Sequence, residues 1–185
     1  SGKGEAVLNG SRIEFADEFS IDGTDEESKM TLDDGSTISS FEHNFIIGRT
    51  GKARLDVRGG SEISALSKLV VGDEEGADAT LTVTGAESIL AMGLATTSEL
   101  IVGNNGRGDL QVTEGAIADL SNVSIGKGEE GFGSAFIGGL DTKLTADALA
   151  VGRGAFGLLQ VDPPARVETF QLWLGENGQV EGRVI

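Results

Sequence analysis

Apolar-x-apolar-Gly recurs six times: Phe45-Ile46-Ile47-Gly48, Leu69-Val70-Val71-Gly72, Leu100-Ile101-Val102-Gly103, Val123-Ser124-Ile125-Gly126, Leu149-Ala150-Val151-Gly152 and Leu172-Trp173-Leu174-Gly175. Successive glycines stand 24, 31, 23, 26 and 23 residues apart. A period near 23 with one short strand per beat predicts a solenoid. Each beat is followed by a second apolar-x-apolar pair: Leu55 with Val57, Leu81 with Val83, Leu110 with Val112, Ala135 with Ile137, and Leu159 with Val161. A break of small residues comes next, at Gly59-Gly60, Gly85, Gly115 and Gly139. A third, weaker apolar position closes each unit, read as Ile63, Ile89, Ile117, Leu144 and Val167.

One unit therefore reads as three short strands joined by three turns. Alternating residues face inward and outward along a strand. Glycine, Asn and Asp at the breaks supply the positive φ that sharp corners need. The predicted fold is all-β, a right-handed parallel β-helix of about six to seven coils with three short strands per coil. Like strands stack about 4.8 Å apart, so the inward rows of Leu, Val and Ile make the core. The chain reads as a single domain. Residues 1–44 are atypical N-terminal coils or a cap, 45–175 are the regular repeats, and 176–185 are a truncated last coil. In the atypical part Phe19, Ile21, Met30, Leu32, Ile38 and Phe41 echo the later rows, and Ala6, Leu8, Ile13 and Phe15 form an irregular first coil. The segment 86–99 carries an excess over the standard unit, predicted as a loop or one helical turn. Glycine makes up 29 of 185 residues, which weighs against a helical fold.

The middle residue of each beat points away from the core. These residues are Ile46, Val70, Ile101, Ser124, Ala150 and Trp173, with Ser20 in the first copy; four of the seven are large and apolar, whereas the outward positions of the second strand (Thr31, Asp56, Thr82, Gln111, Phe136, Gln160) are mostly polar. An apolar outward stripe on one face predicts a cover. That cover is either the chain itself, through residues 1–18 or the segment near Met92, or a partner. Ile46, Val70, Ile101, Trp173 and Val184 are accordingly the candidate interface residues. Beyond Gly175 the pattern shortens towards Val184-Ile185. A coil that stops there exposes strand edges and core rows, and such ends invite strand addition unless capped. Either the solenoid continues in a longer protein, or the end docks on another molecule, with the N-terminal coil of a second copy as one complement.

Composition narrows the function. A net charge of −16 disfavours nucleic acid, whose phosphates need clustered Lys and Arg, and anionic membranes. No apolar run reaches spanning length. There is no cysteine, hence no disulfide framework and no thiolate metal site. Asp25-Glu26-Glu27, Asp73-Glu74-Glu75 with Asp78, and Glu129-Glu130 all fall in the turn between the first and second strands, and alternate there with basic or mixed turns such as RTGKAR. Alternation avoids stacking like charges at strand spacing. The alternative is a row of weak Ca²⁺ sites, although no dedicated calcium nonapeptide is present. No cofactor is otherwise expected. His43 is the only histidine, and no nucleophile or paired acid and base stands beside it in the pattern. Arg107-Gly108-Asp109 spells a tripeptide that some receptors read, in a predicted exposed turn, though three residues match by chance in many proteins.

The units VGDEEGADATLTVTGAES (71–88) and VGNNGRGDLQVTEGA (102–116) resemble the strand-loop-strand repeats of autotransporter passenger and PEP-CTERM-associated proteins. The shared pattern is a VG, a glycine-rich turn, a T/D-L-x-V core and a following glycine. It covers roughly residues 45–175, with departures at DPPAR (162–166) and SAFIGG (134–139). The resemblance implies a secreted or surface-displayed bacterial β-solenoid. Its role would be structural or adhesive, self-associating end to end or laterally into fibres or a matrix, or meeting a surface partner, with no catalytic residue. The alternative reading is a polysaccharide-binding or polysaccharide-degrading β-helix module.

Overall fold

The computed structural model describes residues 3–40, 43–64, 67–92, 97–175 and 182–185, with the backbone alone for 182–184. The described residues hold no helix and nineteen strands, all paired in parallel. The second-row strands β1 (Glu5–Asn9), β4 (Ser28–Asp33), β7 (Lys52–Val57), β10 (Asp78–Thr84), β13 (Arg107–Thr113), β15 (Phe132–Gly138), β17 (Phe156–Asp162) and β19 (Gly182–Val184) form an eight-stranded sheet in that order. The third-row strands are β2 (Arg12–Glu14), β5 (Thr37–Ser39), β8 (Glu62–Ser64) and β11 (Ile89–Met92). The beat strands are β3 (Phe19–Ile21), β6 (Asn44–Ile47), β9 (Lys68–Val71) and β12 (Glu99–Val102). Both rows run into β14 (Ile117–Ile125), which continues through β16 (Lys143–Val151) to β18 (Arg166–Leu174). The result is a β-solenoid of about six regular coils on top of the more exposed coil β1–β3.

The beat register holds throughout. Phe19, Phe45, Leu69, Leu100, Val123, Leu149 and Leu172 stack in one row, and Ile21, Ile47, Val71, Val102, Ile125, Val151 and Leu174 in the next inward row. The pairs Leu55/Val57 through Leu159/Val161 align in the same way, and Met30/Leu32 extend them towards the first coil. Interlocked aliphatic side chains fill one continuous core, with most rows fully buried.

The third row differs from the expected one by a single residue in two coils. The inward ladder is Ile13, Ile38, Ile63, Leu90, Ala118, Leu144 and Val167. Ile89 and Ile117 therefore point outward, and Ile117 is exposed. The preceding corner sets this register. Ser36, Ser61 and Ser88 are fully buried, and their hydroxyls accept backbone N–H groups of Ser11 (3.1 Å), Ser36 (3.1 Å) and Gly60 (3.2 Å). Thr142 Oγ1 plays the same part for Gly115 N–H at 2.9 Å. A side chain fixed inward at the corner forces the second residue after it inward, whatever its size.

A second difference is that third-row and beat strands merge in the last three coils. Five positions separate Ala118 from Val123, Leu144 from Leu149 and Val167 from Leu172. The earlier coils allow seven (Ile38 to Phe45), six (Ile63 to Leu69) and ten (Leu90 to Leu100). Five positions leave no room for a turn, so the strand carries on, and the ladder skips one residue at Ser121, Asp147 and Phe170. Within 86–99 the described residues form a turn at 86–87, β11, a turn residue at 97 and the start of β12. Residues 93–96 and Phe41 lie outside the described residues.

The beat glycines are required twice over. Gly72 and Gly103 have φ of 77° and 71°, and a Cβ on either would run into the carbonyl oxygen of Arg107 or Phe132 in the neighbouring coil. The first coil carries Asp22 at this place and uses it differently. Asp22 Oδ1 accepts the N–H groups of Arg49 (3.1 Å), Thr50 (3.3 Å) and Gly51 (3.0 Å), and Oδ2 accepts the Thr50 hydroxyl at 3.2 Å.

Candidate functional site

The beat face carries the predicted stripe, and the structure divides it. Ile46, Val70 and Ile101 form a small cluster of their own outside the main core, only 4%, 3% and 2% exposed. They are covered within the chain and do not form an open stripe. Trp173 is different, at 41% exposed on the last beat strand. Val184 lies in β19, its backbone paired with Leu159.

The register places Ser124, Ala150 and Trp173 side by side on β14, β16 and β18, with Asn122, Ala148 and Gln171 two residues earlier. Two small residues beside a large one leave a step. A trough of about 220 Å³ fills it, floored by Ser124, Ala148 and Ala150 and edged by Asn122, Gln171, Arg153 and Trp173. Glu99 organises one rim. Its Oε1 accepts the Ser124 hydroxyl at 2.9 Å and lies 3.7 Å from Arg153 Nη1, while its Oε2 receives Lys127 Nζ at 2.5 Å. Asn122 Nδ2 donates to the Ser98 carbonyl at 3.0 Å, which orients that amide.

The two ends of the solenoid are unlike. At the N-terminal end Phe15, Phe19 and Phe45 close over the core, with ring centroids 5.5 Å (Phe15–Phe19) and 5.2 Å (Phe19–Phe45) apart. At the other end β18 pairs, among the described strands, with β16 alone. Leu172 and Leu174, inward in register, are 49% and 51% exposed because no described strand lies over them. Phe170 projects almost fully into solvent at the skipped position of the same strand.

The acidic turn at Asp73 is tied to the next coil. Asp73 Oδ1 accepts the Asn104 amide at 3.0 Å one coil on. Arg49 lies between acidic turns, and its guanidinium is raised above the ordinary arginine range, first by its hydrogen bond to Glu18 and then by the charges of Glu18, Asp73 and Glu74, against the opposing effect of burial. This is the alternation of sign read from the sequence. No group of three or more His, Cys, Asp or Glu placed to hold a metal ion occurs among the described residues.

Arg107-Gly108-Asp109 does not lie in an exposed turn. It opens β13, paired on both sides, with Arg107 Nε 3.0 Å from Asp109 Oδ2 and the guanidinium 5.0 Å from the Phe132 ring centroid. Pairing claims the backbone and the internal ion pair claims both charges. His43 precedes β6, and its carbonyl accepts the Ser67 N–H at 3.4 Å. On the second-row face Asp56 is buried between Lys29 (2.9 Å) and Arg54 (2.8 Å), an ion pair with two cations that secures neighbouring strands.

Sequence reasoning marked Trp173 by its size and placed Ser124 and Ala150 in the same outward row without giving them a role, although their smallness makes the trough. The signal was present in the aligned beats as a change from Ile, Val and Ile to Ser and Ala. Comparison with known proteins finds no matching family model, no matching curated protein and no matching solved structure.

Proposed function

We propose that this chain is a structural or adhesive β-solenoid of bacterial type, secreted or displayed at a surface, that self-associates through the edge of β18. The observation that carries this reading is the state of β18. One edge has no strand partner among the described residues, and the half-exposed Leu172 and Leu174 lie beside it. An unpaired edge beside apolar side chains is a template for another chain. A second copy can supply a strand there, and because the N-terminal end has a different surface the contact is heterologous and propagates into a fibre. The strand-loop-strand motifs at 71–88 and 102–116 support the surface role. The reading assigns the chain no catalytic step.

Sedimentation velocity of the wild type against Leu174→Lys tests it. Concentration-dependent association of the wild type, abolished in the variant, is the expected result. A wild type that stays monomeric at high concentration overturns it.

A further inference from the structure

We propose that the trough over β14, β16 and β18 is a binding subsite for a neutral sugar ring, with Trp173 as its stacking wall. The inference is independent of end-to-end association, because it uses the side of the solenoid.

The chemistry begins with the step in the outward row. Ser124, whose hydroxyl is held by Glu99, and Ala150 give a low floor, and Trp173 stands beside Ala150 on the next strand. A pyranose has a face of C–H groups and a rim of hydroxyls. The negative face of an indole complements C–H groups. Hydroxyls, which both donate and accept, are matched by primary amides, which do the same from one planar group. Gln171 supplies such an amide at the trough, and Asn122, oriented by its bond to the Ser98 carbonyl, supplies another at the edge. Small floor residues let the ring settle against the strands, and an apolar wall with a few convergent polar groups is the usual make-up of a ligand site.

Charge selects the neutral class. The chain carries a net −16. Lys127 and Arg153, the cations nearest the trough, already face Glu99. A polyanionic glycan would meet a repulsive field with those cations engaged, whereas a neutral one meets no such barrier.

Trp173 is the single tryptophan and there is no tyrosine, so intrinsic fluorescence reports the proposed wall directly. The probes are cello-, laminari-, chito- and mannohexaose, with oligogalacturonate as the polyanion. The expected result is a saturable change in emission with at least one neutral hexasaccharide at millimolar concentration. Ala150→Phe, which fills the floor, should weaken that binding roughly tenfold or more while circular dichroism and melting stay as in the wild type. Trp173→Ala, followed by calorimetry, should do the same. If Ala150→Phe fails to fold, Gln171→Ala carries the test, with a several-fold loss expected. The proposal is overturned if none of the four neutral probes perturbs emission. It is equally overturned if only oligogalacturonate saturates, or if the folded variants bind as the wild type does.

Discussion

The carboxylate of Asp22 accepts the backbone N–H of Gly51 at 3.0 Å, one coil further along the solenoid. Asp22 occupies the place that glycine holds in the six later beats. Replacing it with Gly therefore restores the repeat consensus and removes a carboxylate that gathers three N–H groups. Hydrogen bonds to a charged acceptor outweigh a consensus backbone residue where no positive φ is needed. Asp22→Gly and Asp22→Ala should both lower stability by about 1–2 kcal/mol in urea unfolding. A gain from Asp22→Gly would mean that the backbone, and not the carboxylate, governs this corner.

Ala118 stacks between Leu90 and Leu144, and Ile117 faces solvent beside it. Ala118→Leu should cost about 1–3 kcal/mol by overfilling a closed row. Ile117→Ser should fall within about 0.5 kcal/mol of the wild type. Thermal melting of the pair reads the register directly, and the reverse order would restore the row that hydrophobicity alone suggests.

Val112 and Gln111 make the same test in the second row. Val112 is fully buried, and Gln111 is exposed on the opposite side of β13. Val112→Asp should unfold or aggregate the protein, because a buried carboxylate without a partner costs several kcal/mol. Gln111→Asp should cost well under roughly 1 kcal/mol. Matching losses in melting temperature would contradict the paired register.

The beat row was legible down to single residues because three signals coincide in it: the apolar pair, the spacing and a glycine that neighbouring carbonyls require. The third row was legible only as a period. Ile89 and Ile117 outrank Leu90 and Ala118 in size or branching, and the buried serines that settle the matter look like ordinary turn residues until their hydroxyls are seen capping the coil before. The merging of strands was encoded in the five-residue spacing from Ala118 to Val123. What no pattern could supply was the fate of Ile46, Val70 and Ile101, since an outward apolar residue looks the same whether its own chain or a partner covers it. The trough was hidden for the opposite reason, being made by residues too small to draw notice.

Calcium should raise the melting temperature slightly at most. Asp73 already accepts the Asn104 amide and, with Glu74, acts on the Arg49 guanidinium, and Ca²⁺ binds tightly only where several oxygens converge. A differential scanning fluorimetry titration checks this. Large, saturable stabilisation at micromolar calcium would make the turns at Asp73-Glu74-Glu75 metal sites.

The parallel register also sets how the molecule bears tension. The hydrogen bonds between coils run along the long axis, so a pull on the two ends loads every coil boundary in series. Each boundary shares the load among its own bonds. The chain then yields where the fewest pairs hold: among the described residues β19 meets β17 over three residues alone, and the first coil meets the second over five, three and three, against seven and eight where β15 meets β17 and β16 meets β18. Stretched in an optical trap, the protein should release β19 first and the first coil next, and keep the coils between as a stiff rod.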